Sequence, residues 1–315
     1  MDYVFSVRGI SRGAFGTRVG ASSFLAVPEE APVPLPGHRI PRGAWFTRVQ
    51  EAAVAGRDGA EPAGDVVVYV HGYNTPQRVM LERLRKLRAG LAAHGFLGVV
   101  VAFDWPSAER ALNYLEDRKD AKASSIRLVD ELISAFAALQ RPDCPINVHL
   151  LAHSMGCYVL REAFDDADDR PAVAGRSWSV SQVMLVAADV SASSMGLGNP
   201  KSSSLYRHCV RLTNYYSPLD EVLSLSNVKR IGVSPRAGRI GLPEARPEKA
   251  VNLYCGAYFA EHRARFGEGH AASHSWYFDD PSFLQDVTLT VDGGVDRNEL
   301  PTRAPTSQGN LGLRP

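Results

Sequence analysis

Cysteine is scarce and scattered: four in 315 residues, at positions 144, 157, 209 and 255, with no CxxC pair and no Cys/His ligand spacing. That excludes a disulfide framework or a zinc ribbon and leaves reduced thiols, as in a cytoplasmic protein, as the expectation. Charge of one sign is equally lacking. Lys plus Arg number 35 against 34 Asp plus Glu, a net charge of +1. A nucleic-acid partner needs clustered positive charge, so none is expected. No run reaches 18 apolar residues, which excludes an integral membrane helix. The opening MDYVFSVRGISRGAFGTRVG has no unbroken apolar stretch of the kind a secretory signal needs. No internal repeat is visible. The acidic run Asp165–Asp169 has carboxylates enough for a cation but no EF-hand pattern, and reads as a solvated helix end.

What is present is a large apolar fraction, 45% of residues, enough to bury a substantial core. The first sixty residues carry two edge strands, YVFSVRG and SSFLAVP, then a proline-rich loop and a short helix around Trp45–Ala55. From Asp65 the pattern turns regular. DVVVYVHGYN is a buried parallel strand, and Thr75-Pro76 opens a helix with Leu81, Leu84, Leu87 and Leu91 on one face and Gly95 as its stop. LGVVVAFDWPS is the next strand. Ile126 to Leu139 form a second helix, ended by Pro142. INVHLLAHS, SQVMLVAADV, HCVRLTNYYSPLD and AVNLYCGAYF complete the strands, the last being the final one. Strands alternating with helices predict one α/β domain over 1–298, a mostly parallel sheet flanked by helices on both faces. The polar, Pro- and Gly-containing tail 299–315 is expected to be disordered.

One stretch carries chemistry. In INVHLLAHSMGCYVLREAF an apolar strand stops at Ser154, between His153 and Met155, with Ala152 and Gly156 outside them, and helical periodicity follows. A serine on a sharp strand-to-helix turn needs small residues two before and two after it, and its hydroxyl then projects above the sheet edge. The Met155 amide, at the helix N-terminus, faces the same space and can stabilise an oxyanion. A lone serine among small residues also fits an ordinary helix cap; the strong strand before it favours the nucleophile. His71-Gly72-Tyr73-Asn74 closes an earlier strand, where Gly72 admits a close approach and the Tyr73 amide is the second expected donor. His71 itself reads as structural. Trp105 either lines the acyl or leaving-group pocket or covers the sheet edge as a core residue.

With these segments in hand, the chain resembles the alpha/beta-hydrolase superfamily, and within it the DUF900-type bacterial alpha/beta hydrolases of unknown function. The resemblance rests on VVVYVHGYN, VAFDWPS, Tyr114-Leu115-Glu116-Asp117, VHLLAHSMG, LVAADV and GHAASHSWYF, in that order over roughly residues 65 to 280, with FSVRGI and AFGTRVGASSFLAVP before them. Ala152 stands where the motif has glycine.

The resemblance implies the chain order serine, acid, histidine. Asp220, in SPLDEVL after the later strand, is the expected acid, with Asp189 and Glu221 as alternatives; Asp189 otherwise caps the turn after its strand or shapes the pocket. His274 is the expected base, since the aromatics after it pack its loop down, whereas His270 lies in the glycine-rich GEGHAAS, which reads as mobile. The segment 193–204 lies where this fold can insert a lid but is too short for a large one, so the site is expected to be open. The leading expectation is a serine hydrolase of short-chain or lipid-derived carboxylic esters, without metal or organic cofactor. An acyltransferase using the same acyl-enzyme, or a non-catalytic binding protein on the same fold, are the alternatives. Oligomeric state is not legible.

Overall fold

The most apolar segments of the chain form the middle of one sheet. In the computed structural model, residues 1–55, 64–107, 114–138, 146–170, 173, 178–228, 234–307 and 309–314 are described; Leu139, Pro142 and Cys144 lie outside them, as do the side chains of Tyr114–Asp117. The strands are β1 (Asp2–Ser11), β2 (Ala14–Val27), β3 (Gly64–Val70), β4 (Val99–Asp104), β5 (Ile146–His153), β6 (Val180–Val186), β7 (Cys209–Tyr216), β8 (Ala250–Tyr254), β9 (Arg303–Pro305) and β10 (Leu311–Leu313). They lie in the order β2-β1-β4-β3-β5-β6-β7-β8-β10-β9. From β1 to β10 in that order neighbouring strands pair in parallel. An antiparallel strand closes each edge, β2 on β1 and β9 on β10.

Period-two alternation along β3 assigns the two faces. Val66, Val68 and Val70 pack with Trp45 and Val49 of α1 (Arg42–Val54) and with Leu160 and Phe164 from the helix after β5. Val67 and Tyr69 pack with Leu81, Leu84 and Leu87 of α2 (Gln77–Ala93) and with Val287 of the helix Pro281–Asp292. Pro76 caps α2, and Gly95, at φ +91°, turns the chain away after it. The helix expected from Ile126 belongs to a longer run: α3 (Tyr114–Arg127), a π-helical stretch Leu128–Ile133 and α4 (Ser134–Ala137). α5 (Met155–Asp168) follows β5 directly. At its end Asp168 pairs with Arg207 and, at 3.1 Å, with His208 Nε2.

Two expectations fail at the chain's end. AVNLYCGAYF is a strand only to Tyr254, since Gly256–His262 is a helix. The tail 299–315 is not a disordered appendage: β9 and β10 extend the sheet beyond β8. The physical reason is an arginine. Arg303 is fully buried against Asp286 of the helix Pro281–Asp292, with Nη2 2.7 Å from Oδ1 and Nε 2.8 Å from Oδ2. Tyr215 and Thr302 hydroxyls donate to the same carboxylate. Composition cannot disclose a buried pair that offsets the polarity around it.

Removing one partner of such a pair leaves the other buried and uncompensated, at a cost of about 3–5 kcal/mol. Arg303→Met is therefore expected to lower the urea midpoint by that order of stability; an unchanged midpoint would show that the tail is not held this way.

Candidate active site

Ser154 stands between β5 and α5 at φ +56°, ψ −125°, a backbone region that a non-glycine residue occupies at a cost of about 1–3 kcal/mol. The sheet and helix hold it there. Its N–H donates to the Val186 carbonyl at 3.0 Å, and its carbonyl accepts from Cys157 and Asp189 amides, each at 3.1 Å. Gly156 is small because α5 crosses the end of β3: a Cβ there would lie 2.4 Å from the Val70 carbonyl oxygen and 2.6 Å from that of His71. Ala152 is a buried strand residue, paired between Val70 and Leu185. Met155 is the first residue of α5, so its amide has no acceptor within the helix.

The loop after β3 reaches the same point. A Cβ on Gly72 would stand 2.8 Å from the Ser154 Cβ, so glycine lets the loop pass directly over the serine. Asn74 takes φ +48°, turning the chain toward α2. Tyr73, half-buried between them, carries the amide expected as a donor. His71 is structural. Its Nδ1–H donates to the Gly72 carbonyl at 2.9 Å, its Nε2 accepts from the Trp105 amide at 3.2 Å, and burial pulls its pKa below the usual imidazole range. Trp105 lies 0% exposed, stacked on His71, with its indole N–H donating to the His71 carbonyl at 2.8 Å. Trp105 is thus a core residue of the sheet's end that also braces the loop after β3.

Asp104, at the end of β4, escaped sequence reasoning. It is fully buried and accepts from Arg8 Nε (2.7 Å), Ser6 Oγ (2.8 Å) and Gln77 Nε2 (2.7 Å). Gln77 opens α2, so Asp104 fastens the far end of the His71–Pro76 loop. Burial alone would raise the Asp104 pKa; the Arg8 guanidinium and the His71 contact outweigh it and hold the carboxyl well below its ordinary range. Nothing local in VAFDWPS signals this, because the cation comes from β1.

The expected acid and base meet. His274, on the short helix His270–Ser275, hydrogen-bonds through Nδ1 to Asp220 Oδ2 at 2.7 Å. Asp220 is fully buried, its other oxygen accepting from the Leu223 amide at 2.9 Å. With Nδ1 occupied, Nε2 is the atom left to exchange a proton. The imidazole stands beside the turn: its ring centroid is 4.7 Å from that of His153, whose Nε2–H donates to the His274 carbonyl at 2.9 Å. Burial, then the neighbouring His274 and Arg83 charges, press the His153 pKa well below its usual value.

The alternatives are otherwise engaged. Asp189 is ion-paired with buried Arg236 at 2.9 Å. Glu221 pairs with exposed His270 and, at 3.3 Å, with Arg263. His270 is the first residue of the His274 helix, not part of a loose loop. The segment 193–204 is built into the body as the short helix Ala192–Met195 and the start of Pro200–Arg207, with Ser194 held by Arg161 at 2.8 Å.

Comparison with known proteins identifies a family. Residues 50–287 match the family described as "Alpha/beta hydrolase of unknown function (DUF900)", and the chain belongs to it. An uncharacterized protein of Nostoc sp. (strain PCC 7120) is 29% identical over 122 residues, 32% of this chain and 31% of that one. The chain thus matches about a third of that relative's length. Among solved structures, Aspergillus fumigatus lipase B aligns over 76% of this chain and 55% of its own at 15% identity and a TM-score of 0.37. The esterase of Pyrobaculum calidifontis aligns over 75% of this chain and 76% of its own, at 14% and 0.36. No helix among the described residues is long and apolar enough to cross a membrane.

Two outcomes follow from the packing. Gly156→Ala forces α5 off β3 and should cost about 1–3 kcal/mol, as overpacking does; a denaturation curve matching wild type would show that the contact yields freely. Because the Asp104 pKa is lower folded than unfolded, its pairing stabilises above the unfolded carboxyl's range, and that contribution is lost as pH falls toward the folded value. The stability gap between wild type and Asp104→Asn should therefore narrow in acid. A gap independent of pH would contradict the assignment.

Proposed function

We propose that this protein is a serine hydrolase that cleaves carboxylic esters, of short-chain or lipid-derived acyl groups, through an acyl-enzyme on Ser154. The observation that carries the reading is the His274–Asp220 pair set against a serine in a strained strand-to-helix turn. In this reading His274 Nε2 takes the hydroxyl proton as Ser154 Oγ attacks the acyl carbonyl. Asp220 holds the imidazole with its proton on Nδ1 and stabilises the imidazolium. The carbonyl oxygen, now negative, is received by the Met155 and Tyr73 amides; each such donor is worth about 3 kcal/mol in the transition state. Collapse expels the alcohol with the proton from His274. Water, deprotonated by the same imidazole, then releases the acid and restores the serine. The ion pair of Asp189 with Arg236 supports Asp220 as the acid.

Labelling with a fluorophosphonate reports an activated serine without knowledge of the substrate. Ser154→Ala should abolish labelling, His274→Ala should slow it by roughly 10⁶-fold and Asp220→Asn by roughly 10⁴-fold. His270→Ala should label like wild type. Folded wild-type protein that never labels would sink the proposal, and a short-chain ester screen would follow a positive result.

A further inference from the structure

Ser154 and His274 are 120 residues apart, and in the proposed mechanism their separation decides the rate. The helix carrying His274 is only six residues long, His270–Ser275, and Gly267 and Gly269 before it sit at φ +78° and +100°. It cannot hold its own orientation, because a helix this short leaves most of its terminal carbonyls without partners. Beside the His270–Glu221 pair, ties come from the far side or the ends. Asp220 takes His274 Nδ1, the Glu221 amide donates to Ser273 Oγ at 3.0 Å, and Arg83 Nη2 donates to Ser275 Oγ at 2.8 Å. None of these refers the helix to the serine.

One more tie does. His153 precedes Ser154 on β5, one Cα step of about 3.8 Å away. Its ring is buried, 1% exposed, between Gly72 and the His274 ring, and meets the edge of Phe278 at 5.1 Å. The acceptor being a carbonyl, Nε2 must carry the proton. The 2.9 Å bond therefore ties the backbone of the base to the strand that presents the nucleophile. Without it the His274 carbonyl loses the donor that the nucleophile strand supplies, and no other hydrogen bond among the described residues joins β5 to the helix.

We propose that His153 is a positioning residue that sets the base against the nucleophile, by donating from Nε2 to the main-chain oxygen of His274 while its ring supports the imidazole. The inference rests on the serine-hydrolase reading for its effect on rate, but not for its effect on the helix.

The test uses two variants of the full chain. His153→Gln keeps an N–H donor at a similar reach, whereas His153→Leu fills the space without one. Fluorophosphonate inactivation should be roughly 10- to 100-fold slower in His153→Leu, the scale on which small misplacements act. Hydrogen exchange over residues 270–276 should quicken in that variant while its thermal midpoint stays near wild type. His153→Gln should restore both the rate and the protection. Wild-type labelling in His153→Leu, or equal losses in the two variants, would overturn the proposal. If wild type itself never labels, the serine reading falls; unchanged exchange over 270–276 in His153→Leu would then overturn this inference separately.

Discussion

A serine at φ +56°, ψ −125° relaxes unless its surroundings forbid it, and around Ser154 every neighbour forbids it. β6 accepts its amide, the Asp189 amide holds its carbonyl, and α5 begins at once and packs down on the end of β3. The close passage of Gly72 over the Ser154 Cβ depends on the same turn, since a serine set lower in the sheet would leave the loop nothing to cover. The strain of one residue is thus borne by three parallel strands that are buried on both faces and cannot shift singly. That is a reason to put a reactive group at the centre of a large sheet and not at its edge.

Buried ion pairs lie at the loops around this turn. Asp104 with Arg8 lies under the loop after β3, and Asp189 with Arg236 under the loop after β6. Desolvation makes buried pairs weak contributors to net stability, but breaking one is costly, so each fixes its loop in one arrangement. Asp286 with Arg303 does the same for the chain's final strands. In each pair the arginine comes from a segment distant in sequence or across a loop. Backbone irregularity at the sheet's carboxyl edge is therefore compatible with a rigid frame.

This division explains what could be read from the residues alone. β3, β5 and β6 announce themselves as runs of branched apolar residues, and α2 through its leucines at spacings of three and four. Ser154 is legible because sterics at a sharp turn leave a local signature. His71 and Trp105 are legible only as polar or aromatic residues at strand ends; that they support one another and the loop after β3 depends on partners 34 residues apart. Asp104 and Arg303 are illegible for a related reason: a buried charge looks like an exposed one until its partner is known. Composition misleads for the tail, and continuity with a real strand misleads for CGAYF.

The contest between the two aspartates shows how structure adds to pattern. Asp189 follows the strand nearest the serine, and its amide touches the serine's carbonyl, so proximity alone would favour it. Its carboxylate, however, faces a buried guanidinium that is always charged. A carboxylate neutralised in that way has little field left for an imidazolium. Asp220 faces no cation among its hydrogen-bond partners: one oxygen takes the Leu223 amide and the other the His274 imidazole. The carboxylate is buried, and its one side-chain partner is the imidazole. An acid in the proposed role needs that isolation, and the fold provides it for Asp220 by giving Asp189 an arginine of its own.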